Sequence, residues 1–434
     1  MPISRGGLPA RIATMLKRCD IHRMRQIVAR GIRQLKASPQ AGVGASPLIY
    51  FMFLSFAIFM AGFFVIPNAV DQYKFFSVVV FLPGLLLVPR ALCLLRGNQL
   101  FMLMVLYLAY MLLTPAWGAT FVFKPYFNDV RLALYLLLFV MLVALLREEF
   151  PVGFERLLRL LCLLAAGAAV VSMVIWWPHH SFPLDRLVGV GTLEHPNPSA
   201  AVYGFFAVLA VGLLFGEESL WLKIIYLLSA GALLCFVWLT QSRGGLVAVV
   251  MAFTALLFPA RPKRTLIILA SLAGIVALVV FLFPQWFTSL SERGTSSRLL
   301  IWSTVLSQVF EMPFFGHGYL VDHSVFIVSQ HARHAFAHDA YLASLRDGGI
   351  IGLALMLIML GSACRLALRI GREKGSYVYF SLLVFGLVYM IFDTDRLLTR
   401  PRELWVVLWW PLALVLSDSV VPVRGPLSES VNDG

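Results

Sequence analysis

His338-Asp339 stands immediately ahead of an apolar run. Imidazole changes charge near neutral pH, so a histidine at the mouth of such a run is placed to act as a general base. Arg243 sits in Thr240-Gln241-Ser242-Arg243-Gly244-Gly245, a short turn between two apolar runs. A guanidinium can donate two parallel hydrogen bonds to phosphate. The two glycines would let backbone amides approach a ligand, and a helix starting there turns its positive end outward. An arginine at a helix N-terminus is electrostatically unfavourable unless an anion lies between them. Arg186, Arg298 and Arg396 are further candidates for binding an anionic substrate. Arginines at a membrane boundary also snorkel to lipid headgroups, and for any one of these residues that alternative stands. His331, His334 and His338 have i, i+3, i+7 spacing, which would align them on one helical face. Three imidazoles and a water can hold catalytic zinc. No HExxH occurs, however, and Arg333 would repel a dication, so no metal and no cofactor is assigned.

The elements that must carry these residues follow from composition. The 434 residues are 60% hydrophobic and 13% charged, against about 45–50% and about 25% in ordinary soluble domains. Soluble cores of normal size cannot hide that much apolar surface. Disorder, coiled coil and a disulfide scaffold are excluded as well. The five cysteines include no CxxC pair, and none lies in a long polar loop. A helix needs about 20 apolar residues to cross the hydrocarbon. Twelve runs qualify: 48–66, 75–95, 99–116, 129–147, 157–177, 198–215, 219–240, 243–259, 264–284, 340–363, 377–393 and 403–418. Pro83, Pro89 and Arg90 interrupt the second. The runs are continuous rather than alternating, which argues against a β-barrel. The fold class is therefore an all-α integral membrane protein of about twelve transmembrane helices.

Lysine and arginine in the short flanking loops set the direction. Residues 1–47 hold nine Lys/Arg and one Asp and read as a retained basic cytoplasmic tail. Arg90 and Arg96, the group Arg147, Arg156 and Arg159, the group Arg261, Lys263 and Arg264, and the run Arg365 to Lys374 then fall inside. The loop 216–223 is the weak member, with Glu217, Glu218 and only Lys223. The expected organisation is the tail 1–47, transmembrane helices 1–9 over 48–284, a large outer loop 285–339, helices 10–12 over 340–418, and a cytoplasmic tail 419–434. Within the outer loop, Ser297 to Phe310 reads as an interfacial amphipathic helix. Arg186, Arg243, Arg293, Arg298, Arg396, Arg400 and Arg402 all fall outside, against the usual bias, and so do eight of the nine histidines. The net charge of +13 does not point to nucleic acid. The basic tail lacks a binding module, and anionic membrane lipids are its simpler partner.

Three segments together resemble the O-antigen ligase family, which also includes O-antigen polymerases and protein O-oligosaccharyltransferases. They are Thr240 to Gly245, then Ser297-Arg298-Leu299-Leu300-Ile301-Trp302 with Phe315-Gly316-His317-Gly318-Tyr319, and finally His338-Asp339-Ala340-Tyr341-Leu342. Gly191 to Ser199, with Pro196-Asn197-Pro198, is a looser fourth. The likeness covers about residues 235–355; the remainder agrees only in hydropathy and span count. The family histidine is commonly followed by Asn, whereas Asp339 follows here; it would orient His338 or cap the helix.

The resemblance implies a metal-independent glycosyltransferase of the integral-membrane (GT-C) type, in the bacterial inner membrane with its active site facing the periplasm. Its donor would be a glycan on undecaprenyl diphosphate and its acceptor a hydroxyl of the lipid A-core oligosaccharide, in lipopolysaccharide biosynthesis. His338 would then be catalytic, and Arg186, Arg243, Arg298 and Arg396 would bind substrate. Glu194, Asp393 and Asp395 are possible helpers that also suit capping or ion pairing. A polymerase using a second lipid-linked glycan as acceptor is poorly separated by sequence. A transporter or flippase of lipid-linked glycans would place ionisable groups in mid-span and show paired repeats.

Overall fold

In lipid, backbone amides and carbonyls find partners only within their own segment, and the apolar runs accordingly fold as helices. The computed structural model describes residues 46–118, 122–182, 184–257, 296–320, 325–327, 332–334 and 337–420. The chain divides into two units, residues 1–51 and 52–434, and the account below concerns the second.

In chain order the apolar helices are α1 Pro47–Val65, α2 Ala69–Leu95, α3 Gln99–Ala116, α4 Phe123–Glu149, α5 Pro151–Trp176, α6 Pro196–Gly216, α7 Leu220–Leu239 and α8 Arg243–Leu257. After α9 Ser296–Glu311 come α10 Ala340–Lys374, α11 Val378–Asp393 and α12 Trp405–Val420. Eight of these are long and apolar enough to cross a membrane; α8, α11 and α12 are apolar but shorter. The protein is a helical multi-pass membrane protein. The expected span 264–284 lies outside the described residues. Pro83 and Pro89 have no amide to donate. Around them α2 relaxes into a π turn over Phe76–Phe81 and a 3₁₀ turn over Leu85–Leu87.

Helix α9 forms where an amphipathic helix was expected. Ile301 and Val305 on its inner face pack with Ala337 and Ala343, which joins it to the start of α10. Two short strands follow it, β1 Val325–Ile327 and β2 Ala332–His334, paired antiparallel with Val325 opposite His334. This corrects the helical-face reading of the histidine triplet. His334 lies in a strand, so i, i+3, i+7 spacing does not stack it beneath His338. His331 lies outside the described residues.

Helix α10 is broken at Gly349, whose backbone has φ 65° and ψ −167°. A break inside an apolar helix strands amides and carbonyls. The segment 312–318 takes their place. Ile350 N donates to Pro313 O at 2.8 Å, while His317 N and Gly318 N donate to Arg346 O and Asp347 O, each at 2.9 Å. Tyr110 from α3 donates to Gly348 O at 2.7 Å. Only glycine fits at the break, because a Cβ on Gly349 would lie 2.2 Å from Phe314 O.

Candidate active site

His338 is one of two non-glycine residues with left-handed backbone among the described residues; the other is Gln241, and both have φ 53°. Such a conformation costs about 1 kcal/mol or more and persists only where the surroundings impose it. Ala337 N donates to Asp395 Oδ1 at 2.9 Å, and Trp302 Nε1 of α9 donates to Ala337 O at 3.1 Å. On the other side Asp339 caps α10, its Oδ1 accepting from Tyr341 N at 2.8 Å and Leu342 N at 3.0 Å. Of the two roles open to this acid, the cap is the one observed. Burial pushes its carboxyl above the usual carboxylate range, against the pull of the two amides.

So held, His338 turns Nδ1 to within 3.6 Å of Asp393 Oδ1, at the last residue of α11. Arg298 of α9 brings Nη2 to 3.8 Å from the same oxygen. His338 and Asp393 line a cavity of about 340 Å³, together with Asp395, Arg396, Arg402 and His195. Arg396 Nε lies 3.7 Å from Asp347 Oδ2 and 3.8 Å from Asp395 Oδ2, with its guanidinium 4.5 Å above the Tyr319 ring. Arg402 Nε donates to both carboxylate oxygens of Glu403, at 2.9 Å each. Burial raises the Asp395 carboxyl; Arg346, Arg396 and the Ala337 amide oppose this while Asp347 adds to it.

The turn bearing Arg243 lies beside this cavity without lining it. Leu187 N donates to Leu239 O at 3.1 Å, and Gln241 Nε2 donates to Asp185 O at 2.8 Å, which fastens the 184–195 loop over the turn. Arg186 is drawn into the same fastening: Nε donates to Thr240 O at 2.8 Å and Nη2 to Asn197 Oδ1 at 2.6 Å. Arg243 itself is exposed and makes no hydrogen bond or ion pair among the described residues. The paired glycines have a packing role that the sequence did not show. A Cβ on Gly244 would lie 2.6 Å from Phe392 Cβ of α11, and one on Gly245 would lie 2.8 Å from Ala200 Cβ of α6. They admit neighbouring helices. That close approach sets Arg243 and His338 against the same end of α11.

The structure thus gathers His338 and Arg396 with Asp393 at one cavity, sets Arg298 beside Asp393, and joins Arg186 to the turn that bears Arg243. Arg293, His323 and His331 lie outside the described residues. Sequence reasoning missed the buried pair Arg346 and Asp347, each 1% exposed and joined by a 2.8 Å bond from Nε to Oδ1. It gave no weight to Glu403 and ranked Asp393 only as a helper. The signal for Asp393 was a run of ionisable groups, Asp393 to Arg396, closing an apolar segment. A larger groove of about 970 Å³ between α2, α3 and α4 is lined almost wholly by apolar side chains such as Leu92, Met102 and Leu106 and offers no group for chemistry.

Comparison with known proteins bears on the family. Residues 227–357 match the family model described as O-antigen ligase. That stretch contains Arg243, Arg298 and His338. An O-antigen ligase of Pseudomonas aeruginosa is 32% identical over 326 residues, covering 74% of this chain and 78% of that protein.

Proposed function

The chain belongs to the O-antigen ligase family, and from that premise we propose that it transfers a glycan from undecaprenyl diphosphate to a hydroxyl of the lipid A-core oligosaccharide. The reaction takes place at the periplasmic face of the bacterial inner membrane, in a GT-C-type bundle of twelve spans.

A sugar diphosphate already carries a good leaving group. The protein has to orient the acceptor and stabilise charge on the departing diphosphate. Arg243 is the cation best placed for this, exposed at a helix N-terminus with no carboxylate partner among the described residues. Arg186, bonded to the same turn, and Arg298, beside Asp393, would add to its charge, so the diphosphate needs no divalent metal. Asp393 faces His338 Nδ1 at 3.6 Å and favours the tautomer with its proton there, leaving the Nε2 lone pair for the acceptor. Nε2 takes the hydroxyl proton as the oxygen bonds to the anomeric carbon. The carbon–oxygen bond to the diphosphate breaks on the opposite side, and the diphosphate leaves with the electron pair. The product is inverted.

The observation that carries this reading is the left-handed His338 held against Asp393 at the same helix end as Arg243. The test is purified protein mixed with lipid-linked glycan and lipid A-core, with product resolved by gel shift. A shifted core band that survives chelator is expected. Extension of the lipid-linked glycan in place of the core would make the enzyme a polymerase, and loss restored by zinc would bring metal into the mechanism.

A further inference from the structure

We propose that the cavity at His338 is the subsite for the acceptor sugar, and that it takes an uncharged, hydroxyl-rich ring rather than a phosphate. This rests on the glycosyl-transfer reading above and adds which substrate sits on which side of His338.

Charge decides between the two substrates. Two guanidiniums line the cavity, and each has carboxylates beside it, although Arg396 Nε makes no hydrogen bond among the described residues. Arg402 is committed to Glu403, and Arg396 lies between Asp347 and Asp395. Asp393 adds a third carboxyl to the wall. Three lining carboxyls against two guanidiniums leave the wall without net positive charge, whether or not Asp395 is ionised. A diphosphate brought there would meet carboxylates at close range in a partly desolvated site, where like charges repel strongly. Arg243, which has no carboxylate partner among the described residues, lies at the turn outside the cavity. The anion belongs on that side.

What the wall does offer suits hydroxyls. Carboxylates accept hydrogen bonds from vicinal hydroxyl groups. His195 also lines the cavity; its Nδ1 accepts from Asn197 N at 3.3 Å, which places the proton of the neutral ring on Nε2 as a donor. Thr394 is 6% exposed and lines the cavity, yet its Oγ1 has no hydrogen-bond partner among the described residues, and the same holds for Thr399 Oγ1. Buried hydroxyls are ordinarily paired. Two orphaned ones on one small cavity are groups that a polyhydroxylated ligand would satisfy. A volume of about 340 Å³ lies at the small end for ligand sites and has room for a terminal sugar, not an extended chain.

The experiment compares Thr394→Val and Thr399→Val with the wild type in full-length protein. Three quantities are measured: binding of undecaprenyl diphosphate without glycan, KM for lipid A-core, and melting temperature. Valine keeps the shape and removes an unpaired hydroxyl, so melting should be unchanged or higher. KM for the core should rise about fivefold in each, the effect of one lost hydrogen bond, with undecaprenyl diphosphate binding unchanged. Weakened diphosphate binding in either variant, or an unchanged core KM in both, overturns the assignment. Should Thr394→Val fail to fold, the less buried Thr399→Val decides alone. Should the wild type transfer nothing, the transfer reading falls by itself. Direct binding of core oligosaccharide to wild type and Thr399→Val then still decides the subsite.

Discussion

Gly244 and Phe392 meet so closely that a Cβ on the glycine would stand 2.6 Å from Phe392 Cβ. One residue along from each contact partner are Arg243 and Asp393, the first free to meet an anion and the second facing His338. The distance between the Arg243 turn and His338 is therefore set by helix packing. Gly244→Ala should force α8 and α11 apart and cost about 1–3 kcal/mol of stability. The check is the midpoint of unfolding in detergent, together with a loss of transfer greater than the loss of folded protein.

His338→Ala should lower kcat by about 10²–10⁴-fold while undecaprenyl diphosphate still binds. Full activity in the purified variant would remove the base assignment.

Arg243→Ala should weaken undecaprenyl diphosphate binding by about tenfold or more, the scale of one charge-assisted contact. Titration with the unglycosylated lipid measures this directly, and unchanged affinity would move the diphosphate elsewhere.

Asp393→Asn keeps the size of the side chain and removes the charge facing His338 and Arg298. A fall in kcat with little change in donor binding is expected. Donor binding lost with kcat preserved would mean that Asp393 serves Arg298 and not the histidine.

Asp395 gives a pH signature. Its carboxyl is raised above the usual range, chiefly by burial. In the pH window between the ordinary carboxylate value and this raised value the folded state holds more protons than the unfolded state. Stability present below that window is lost as pH rises through it. Asp395→Asn still offers an oxygen to Ala337 N but cannot ionise. Melting followed from acid pH upward should show a decline in the wild type that the variant lacks; parallel curves would refute the assignment.

Much of this was legible in the chain. Apolar runs of span length, the amphipathic segment from Ser297 and the exposed Arg243 all follow from local composition. Asp339 as a helix cap was one of two readings, because an acid ahead of an apolar run suits both roles until its partners are seen. Other features depend on residues far apart in sequence. Hydropathy averaged over a span hides Arg346 and Asp347, since two charges among apolar neighbours barely lower the mean. The sequence does not reveal that Phe392 and Ala200 fill the space the paired glycines leave. Nothing local predicts that Asp395 receives the Ala337 amide across 58 positions.

The break at Gly349 also bears on how the protein is made. Amides and carbonyls exposed by a broken helix are costly in hydrocarbon, and here their partners arrive from Pro313, His317 and Gly318. These partners precede the break in the chain and are already translated when Gly349 emerges. The broken helix can therefore settle into the bilayer only as the preceding segment folds back onto it, so insertion and folding of this region form a single cooperative event.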